Sequence, residues 1–387
     1  MFFREEIGES LTLKFAQAAA ERRKMGLPII SLGLGEPDFS VPQEIISATI
    51  EVLTTSHAKY SSPMGLPSFR EKLAAKLQSE NRIPANPDNL LVTPGAKQAL
   101  QFALMALLEP DDEVIIVNPS FVSFIPQVYI AEPRAKIRVL NVKKSDFSIS
   151  IDKLKELIGK RTKLILLNSP NNPAGYMLSI KEQEEIFNLA VANDCYIISD
   201  EIYEKLVFSD LVHHSIGSFE NKVDRVITVN GFSKSHSMTG WRLGYLCFPK
   251  PLQSKINKLQ QHINTNTCTF IQQAMDKAFD HDYTYLKDYN NKLSERAKTL
   301  AKYFSKIDNV SLYQPSAGFF AFLNISGLGV DSNTFCSKLI QKTGVATTPG
   351  IAFGEDWDDH IRISFATDDE LLNKGLALIK QFILNDI

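Results

Sequence analysis

The amino-acid sequence predicts an α/β protein in two parts: a large domain on a mostly parallel sheet covered by helices, and a small α+β domain made from both chain ends. Three observations predict it. Short apolar runs recur through the middle, at Glu113–Val117, Lys163–Leu167, Tyr196–Ser199, Arg225–Val229 and Gly244–Phe248. Longer stretches of helical periodicity such as Ile180–Ala192 separate the earlier runs, and such alternation favours parallel strands buried on both faces. The two ends lack this alternation.

Taken in order, residues 10–26 read as an amphipathic helix stopped by Gly26, and Asn89–Val92 as a strand. Gln98–Leu108 is apolar nearly all round, as a buried helix would be. A long polar–apolar helical pattern runs from about Asp282 to Lys306, followed by strand-like pieces at Phe319–Leu323 and His360–Phe365. Residues 1–45 and 282–387 are expected to form the small domain, and residues 46–281 the large one.

Composition narrows the function. The 387 residues are 44% hydrophobic, and 42 basic against 44 acidic residues give a formal net charge of −2. That balance offers no basic face for nucleic acid or an anionic membrane. Cys195, Cys247, Cys268 and Cys336 are widely spaced, which suggests neither a disulfide framework nor a metal site. The first residues, Met1 to Glu6, do not read as a signal peptide, and no apolar run reaches membrane-spanning length, so a cytoplasmic protein is expected.

The chemistry collects behind three strands. Lys163–Leu167 runs into Asn168-Ser169-Pro170-Asn171-Asn172-Pro173-Ala174-Gly175, Tyr196–Ser199 into Asp200-Glu201-Ile202-Tyr203, and Arg225–Val229 into Asn230-Gly231-Phe232-Ser233-Lys234. If the strands are parallel, all three motifs emerge at the carboxyl edge of the sheet, where ligands bind in open α/β folds. Singly, a lysine after a strand is ordinarily solvated, an aspartate near a tyrosine is a turn residue, and Asn-Asn-Pro is a turn. Jointly they suit one ligand. Lys234 can form a Schiff base if burial or positive neighbours lower its pKa. Asp200 calls for a cationic partner such as a protonated ring nitrogen, and Tyr203 and Asn172 can bond a phenolic oxygen on that ring. Thr93-Pro94-Gly95-Ala96-Lys97 opens the buried helix and offers backbone N–H groups to a phosphate, with Ser233 and Arg242 on either side of Lys234 to help. Gly33-Leu34-Gly35 lacks the third glycine of a dinucleotide fingerprint, and Glu36-Pro37 follows where a helix should open.

With these residues in place the chain resembles the fold-type I pyridoxal-phosphate (PLP) aminotransferases of the aspartate aminotransferase superfamily. The matching pieces span nearly the whole sequence: Gly35-Glu36-Pro37-Asp38-Phe39, Lys59-Tyr60 with Gly65, Pro94–Leu100, Asn171-Asn172-Pro173 and Asp200-Glu201-Ile202-Tyr203. The most specific is Ser233-Lys234 followed by Met238-Thr239-Gly240-Trp241-Arg242-Leu243-Gly244, with Lys and Arg eight apart. The resemblance implies that Lys234 carries the cofactor as a Schiff base and shuttles the substrate's α-proton. It implies that Asp200 pairs with the ring nitrogen, that Asn172 and Tyr203 bind the phenolic oxygen, and that Phe121 stacks on the ring where many relatives carry Trp. Gly95, Ala96, Ser233 and Arg242 would hold the phosphate. Tyr60 would reach the phosphate of a neighbouring subunit, which implies a homodimer with shared active sites. Arg362, within His360-Ile361-Arg362-Ile363-Ser364, would fork the substrate carboxylate, with Gly35 assisting.

The implied reaction is ping-pong transfer of an amino group from an amino acid to a 2-oxo acid, with the segment before Gly35 closing over the substrate. Lys97 bears on the substrate. A cation in the first turn of a helix opposes the helix dipole and invites an anion: either the cofactor phosphate or an acidic substrate's distal carboxylate. Acidic amino acids with 2-oxoglutarate come first; aromatic or neutral amino acids and prephenate stay open. A β-lyase on the same fold is a rival function. A cofactor-binding regulator module is another, and it would need a DNA-binding domain for which the sequence before the Ser10–Gly26 helix is expected to leave no room.

Overall fold

The computed structural model describes residues 7–55, 59–208, 211–281 and 284–387. Residues Met1–Glu6 and Asp282, both used above, lie outside the described residues. Thirteen strands follow in chain order: β1 Ile30–Ser31, β2 Leu90–Thr93, β3 Glu113–Asn118, β4 Lys136–Asn141, β5 Thr162–Asn168, β6 Tyr196–Asp200, β7 Val226–Gly231, β8 Gly244–Cys247, β9 Ser311–Leu312, β10 Phe320–Asn324, β11 Val345–Ala346, β12 Thr348–Pro349 and β13 His360–Ser364. The central sheet has the order β2-β8-β7-β6-β5-β3-β4. Pairings from β7 through β6, β5 and β3 to β4 are parallel.

Alternation along these strands divides the sheet's two faces. Val114, Ile116, Leu164, Leu166 and Ile198 pack with the helix Ala96–Leu107 on one side. Ile115, Val117, Ile165, Leu167 and Ile197 pack with Ile186 and Ala190 of the helix Ile180–Ala192 on the other. A strand buried on both faces must be apolar at every position, which is why these runs were continuous in the sequence. The helix Ile180–Ala192 starts at the expected residue because Ser179 and Glu182 form a capping box.

Two features differ from the sequence reading. The fifth apolar run, β8, is antiparallel to β7 and to β2. Only residues 232–243 join β7 to β8, with a single 3-10 turn at Thr239–Trp241 in place of a crossover helix, so the chain turns back beside its own strand. β4 went unremarked because its sequence, Lys-Ile-Arg-Val-Leu-Asn, is largely exposed and has no apolar run.

The chain ends meet. β1 pairs in parallel with β11, and β10, β12 and β13 form an antiparallel sheet with β9. Phe15, Ile30 and Leu32 share a core with Leu293, Phe335, Ile361 and Leu376. The expected boundary at 45/46 falls inside the helix Gln43–Thr55, which packs on Thr269–Ala278, with Ile45, Ala48 and Val52 in the same core as Ala274. Arg296 ties the two chain ends together, bonding Asp38 at 2.9 Å and Asp369 at 2.7 Å.

Close approach at the carboxyl edge depends on glycine. A Cβ on Gly244 would lie 2.5 Å from the Ala96 nitrogen and from the Gly95 carbonyl carbon, both backbone atoms that cannot swing aside. Gly244→Ala is expected to lower stability by about 1–3 kcal/mol, as overpacking does, measured by urea unfolding; an unchanged midpoint would mean that the turn at Gly95 yields freely.

Candidate active site

A cleft of about 610 Å³ opens at the carboxyl edge between the central sheet and the segment Gly33–Glu36. Of the residues expected from sequence, it brings together Gly35, Ala96, Lys97, Phe121, Asn172, Asp200, Tyr203, Ser233, Lys234, Arg242 and Arg362. Gly95 sits just behind them as the cap residue of the helix Ala96–Leu107. Tyr60 does not line the cleft and is 86% exposed.

Lys234 follows β7, and its ammonium donates to the Gly35 carbonyl at 2.6 Å. Burial pushes its pKa down to about 8; Glu36 and Asp200 oppose the shift, and the charges of Arg362 and Arg242 add to it. Asp200 ends β6. Burial pushes its carboxyl up to about 7, although the Ile202 N–H donates to Oδ1 at 3.2 Å. That is the one hydrogen bond to its carboxylate among the described residues, and no ion pair is formed there. Tyr203 is buried, edge-on to Phe319 and Phe320, and burial raises its pKa.

Arg362, on β13, is 4% exposed. It donates to Asn172 Oδ1 at 2.9 Å, to the Gly33 carbonyl at 2.7 Å and to Thr348 Oγ1 at 3.3 Å. Each of those partners is neutral, and Nε has none. Its guanidinium lies 4.1 Å from the Phe320 ring centroid, and burial lowers its pKa to about 10. Among the described residues the Arg362 guanidinium has no anionic partner, and it faces the cleft.

At the opposite wall the helix Ala96–Leu107 begins without a side-chain cap, so its first N–H groups remain available to an anion. Arg242 has φ 57°, a left-handed conformation uncommon outside glycine. From there it donates to Thr239 O at 2.9 Å and to Pro94 O at 3.3 Å. A Cβ on Gly95 (φ 82°) would come within 2.4 Å of the Arg242 guanidinium. Lys97 Nζ lies 5.4 Å over the Phe121 ring, and burial, then Arg242, lowers its pKa.

Other lining residues escaped the sequence reading. Asn168, Phe320, Glu36, Thr239 and residues Thr12, Leu13 and Ala16 of the helix Leu11–Lys24 all face the cleft. Gly33 enters by its carbonyl, about which a side-chain pattern is silent, and Thr348 stands on a two-residue strand with no periodicity to announce it. Asn168 had a signal, since it ends an apolar strand directly before the Asn-Asn-Pro turn.

A buried amine aimed into the cleft, a buried carboxyl in want of a cation, and an uncapped helix start beside Arg242 suit one group. It must carry a carbonyl, a protonatable ring nitrogen and a phosphate, and PLP has all three. The fold and cleft therefore define an α/β enzyme of the PLP-dependent class. The model of the aminotransferase class I and II family matches residues 28–379, and the chain belongs to that family; it is a PLP-dependent aminotransferase. It is 37% identical to an aspartate aminotransferase of Pyrococcus abyssi, over 92% of each chain, and 34% identical to aromatic-amino-acid aminotransferase 2 of Thermococcus litoralis, also over 92% of each. Among solved structures, the aspartate aminotransferase of Thermotoga maritima matches with TM-score 0.91 at 36% identity over 98% of each chain. That of Thermus thermophilus with maleate matches with TM-score 0.92 at 30% identity, over 98% of this chain and 100% of that one.

The Asp200 shift has a consequence for the cofactor-free protein. A carboxyl whose folded pKa is raised from 3.8 to about 7 binds its proton more tightly in the native state. Its contribution is full below the unfolded pKa and is lost as pH rises through the folded one. Unfolding free energy of the cofactor-free protein is expected to fall between about pH 4 and 7, and Asp200→Asn to flatten that fall. Parallel urea-stability profiles for parent and variant would contradict it.

Proposed function

We propose that this aminotransferase takes its amino group from an acidic amino acid, aspartate first, and passes it to 2-oxoglutarate. The observation that carries an amino-acid substrate is Arg362, a buried guanidinium whose partners among the described residues are neutral, facing the cleft that holds Lys234 and Asp200; Lys97, lining the same cleft over Phe121, carries the preference for an acidic one. A planar fork left unpaired fits a carboxylate, the group common to amino acids and 2-oxo acids. Bound PLP supplies the carbon that takes the amino group and a cationic ring that accepts the electron pair left at the α-carbon.

The chain's own residues divide the rest. Arg362 and the N–H of Gly35 bind the α-carboxylate and set the α-hydrogen toward Lys234. Lys234 Nζ, with its pKa lowered to about 8, is the base that would take that proton and hold it for return. With PLP bound, Asp200 would hold the proton at the ring nitrogen, Asn172 and Tyr203 would bond the phenolic oxygen, and Phe121 would cover the ring. Gly95, Ala96, Ser233 and Arg242 hold the phosphate. Lys97 reaches the substrate's distal carboxylate, in keeping with the dicarboxylate maleate in the Thermus structure. The helix Leu11–Lys24 excludes water by closing over the cleft.

We place the protein in the cytoplasm as a homodimer with shared sites. Tyr60, exposed and outside its own cleft, is free to enter a neighbour's. Among the described residues no helix is long and apolar enough to cross a membrane. The small domain, expected at residues 1–45 with 282–387, would move against the large one with its first hinge just ahead of Gln43, since the helix Gln43–Thr55 packs with the large domain. Aromatic donors are the second reading, favoured by the apolar cleft residues Leu13, Leu34 and Leu100 and by the Thermococcus relative.

Aspartate added without acceptor to PLP-loaded protein is expected to abolish the visible cofactor band and release one oxo acid per site; a band indifferent to aspartate but lost with phenylalanine would favour the aromatic reading. Lys97→Met is expected to raise KM for aspartate about 10- to 100-fold while leaving phenylalanine nearly unaffected. Steady-state kinetics on both donors checks this, and equal effects would assign Lys97 to the phosphate.

A further inference from the structure

Asn168 ends β5 directly opposite Asp200, its register partner on β6. Its side chain lines the cleft and is 6% exposed. Both ends of the amide are engaged, each with a different turn. Nδ2 donates to the Asp200 carbonyl at 2.9 Å, and Oδ1 accepts from the Asn172 N–H at 2.8 Å. Asn172 in turn accepts from Arg362 at 2.9 Å. One polar chain therefore runs from Asp200 through Asn168 and Asn172 to Arg362.

The strand ends need such a link. Past Asn168 and Asp200 the register pairing of β5 and β6 ends with one further backbone bond, from the Ser169 N–H to the Asp200 carbonyl at 3.2 Å, and the chain beyond enters the turn that carries Asn172. An amide of fixed length, bonded to both turns, sets the separation of Asp200 from Asn172. A serine could engage one turn but not both, since its single hydroxyl is too short to span them, and an apolar residue would leave the Asp200 carbonyl with the Ser169 N–H alone and the buried Asn172 N–H short of its acceptor.

We propose that Asn168 is a positioning residue that fixes Asp200 and Asn172 at the spacing of the ring nitrogen and phenolic oxygen of the cofactor. This rests on the roles of Asp200 and Asn172 proposed above. Asn168 transfers no proton; it keeps the two groups that polarise the ring in register with each other and with Arg362.

The test compares parent, Asn168→Ala and Asn168→Ser as holoenzymes, with three readouts: cofactor dissociation constant, the pH midpoint of the visible cofactor band, and kcat apart from KM. Asn168→Ala is expected to weaken cofactor binding about tenfold and to lower kcat by a similar factor. The band midpoint should move upward by about half a pH unit, because a poorly held ring proton leaves less positive charge beside Lys234. Asn168→Ser, keeping one of the two bonds, should recover part of each. Values for both variants within twofold of the parent would overturn the proposal. So would a lower melting temperature of the cofactor-free form with cofactor binding and band midpoint unchanged, which would give Asn168 a role in folding alone. A parent protein that binds no PLP would instead overturn the underlying roles of Asp200 and Asn172, and this assignment with them.

Discussion

Parallel pairing of β5, β6 and β7 is the constraint on which the cleft depends. Parallel strands cannot return by a hairpin, so each begins again at the far edge and each ends at the same one. Asn168, Asp200 and Gly231 thus stand side by side as strand termini, and the turns behind them deliver Asn172, Tyr203 and Lys234 to one place. β2 runs antiparallel to β8, as β7 does, so Thr93 ends at this edge too and the helix after it starts there. A single antiparallel strand completes the arrangement. β8 turns back from the edge and leaves Arg242 on the connection, within reach of the helix start.

Electrostatics follows from what that edge buries. Elsewhere several buried charges are paired within the chain: Lys76 bonds Glu204, and Arg296 holds two aspartates. Within the cleft Asp200, Lys234 and Arg362 form no ion pair among the described residues. For Asp200 the gap between 3.8 and about 7 is roughly 4 kcal/mol against the charged form, far above the net worth of an ordinary hydrogen bond. A fold that left three such groups unpaired for no purpose would gain by replacing them with apolar residues. A ligand that brings a ring cation for Asp200, a carbonyl for Lys234 and a carboxylate for Arg362 offsets all three costs at once. The same burial that destabilises the empty cleft makes Lys234 a usable base near neutrality.

Much of this was legible in the sequence because it lies at strand ends, where apolar runs stop and polar residues begin. The three motifs behind β5, β6 and β7 needed only the assumption of parallel strands to converge. Long-range geometry was less legible. Arg362 was visible as an arginine between isoleucines, but its neutral surroundings come from Gly33 and Thr348, brought in by a loop and a two-residue strand. β4 was hidden because exposed lysine and arginine break its apolar pattern, and the sense of β8 because periodicity carries no direction. Gln43–Thr55 reads as belonging to either part until its packing on Thr269–Ala278 is known.

The proposed roles also account for why the two cations of the cleft, Arg362 and Lys97, differ in type. Every amino acid and 2-oxo acid presents the same α-carboxylate, and its placement decides whether the α-hydrogen faces Lys234. A rigid guanidinium, clamped by Asn172, Gly33 and Thr348 and stacked on Phe320, suits a group that must not move. The far end of the substrate changes between partners: aspartate and 2-oxoglutarate differ in length by one carbon. On the proposed reading Lys97, which rests over Phe121, would meet it with a point charge on a flexible stem. Its ammonium would follow either carboxylate. Rigid recognition at one end and adaptable recognition at the other would suit the proposed transfer between two unlike substrates in one cleft.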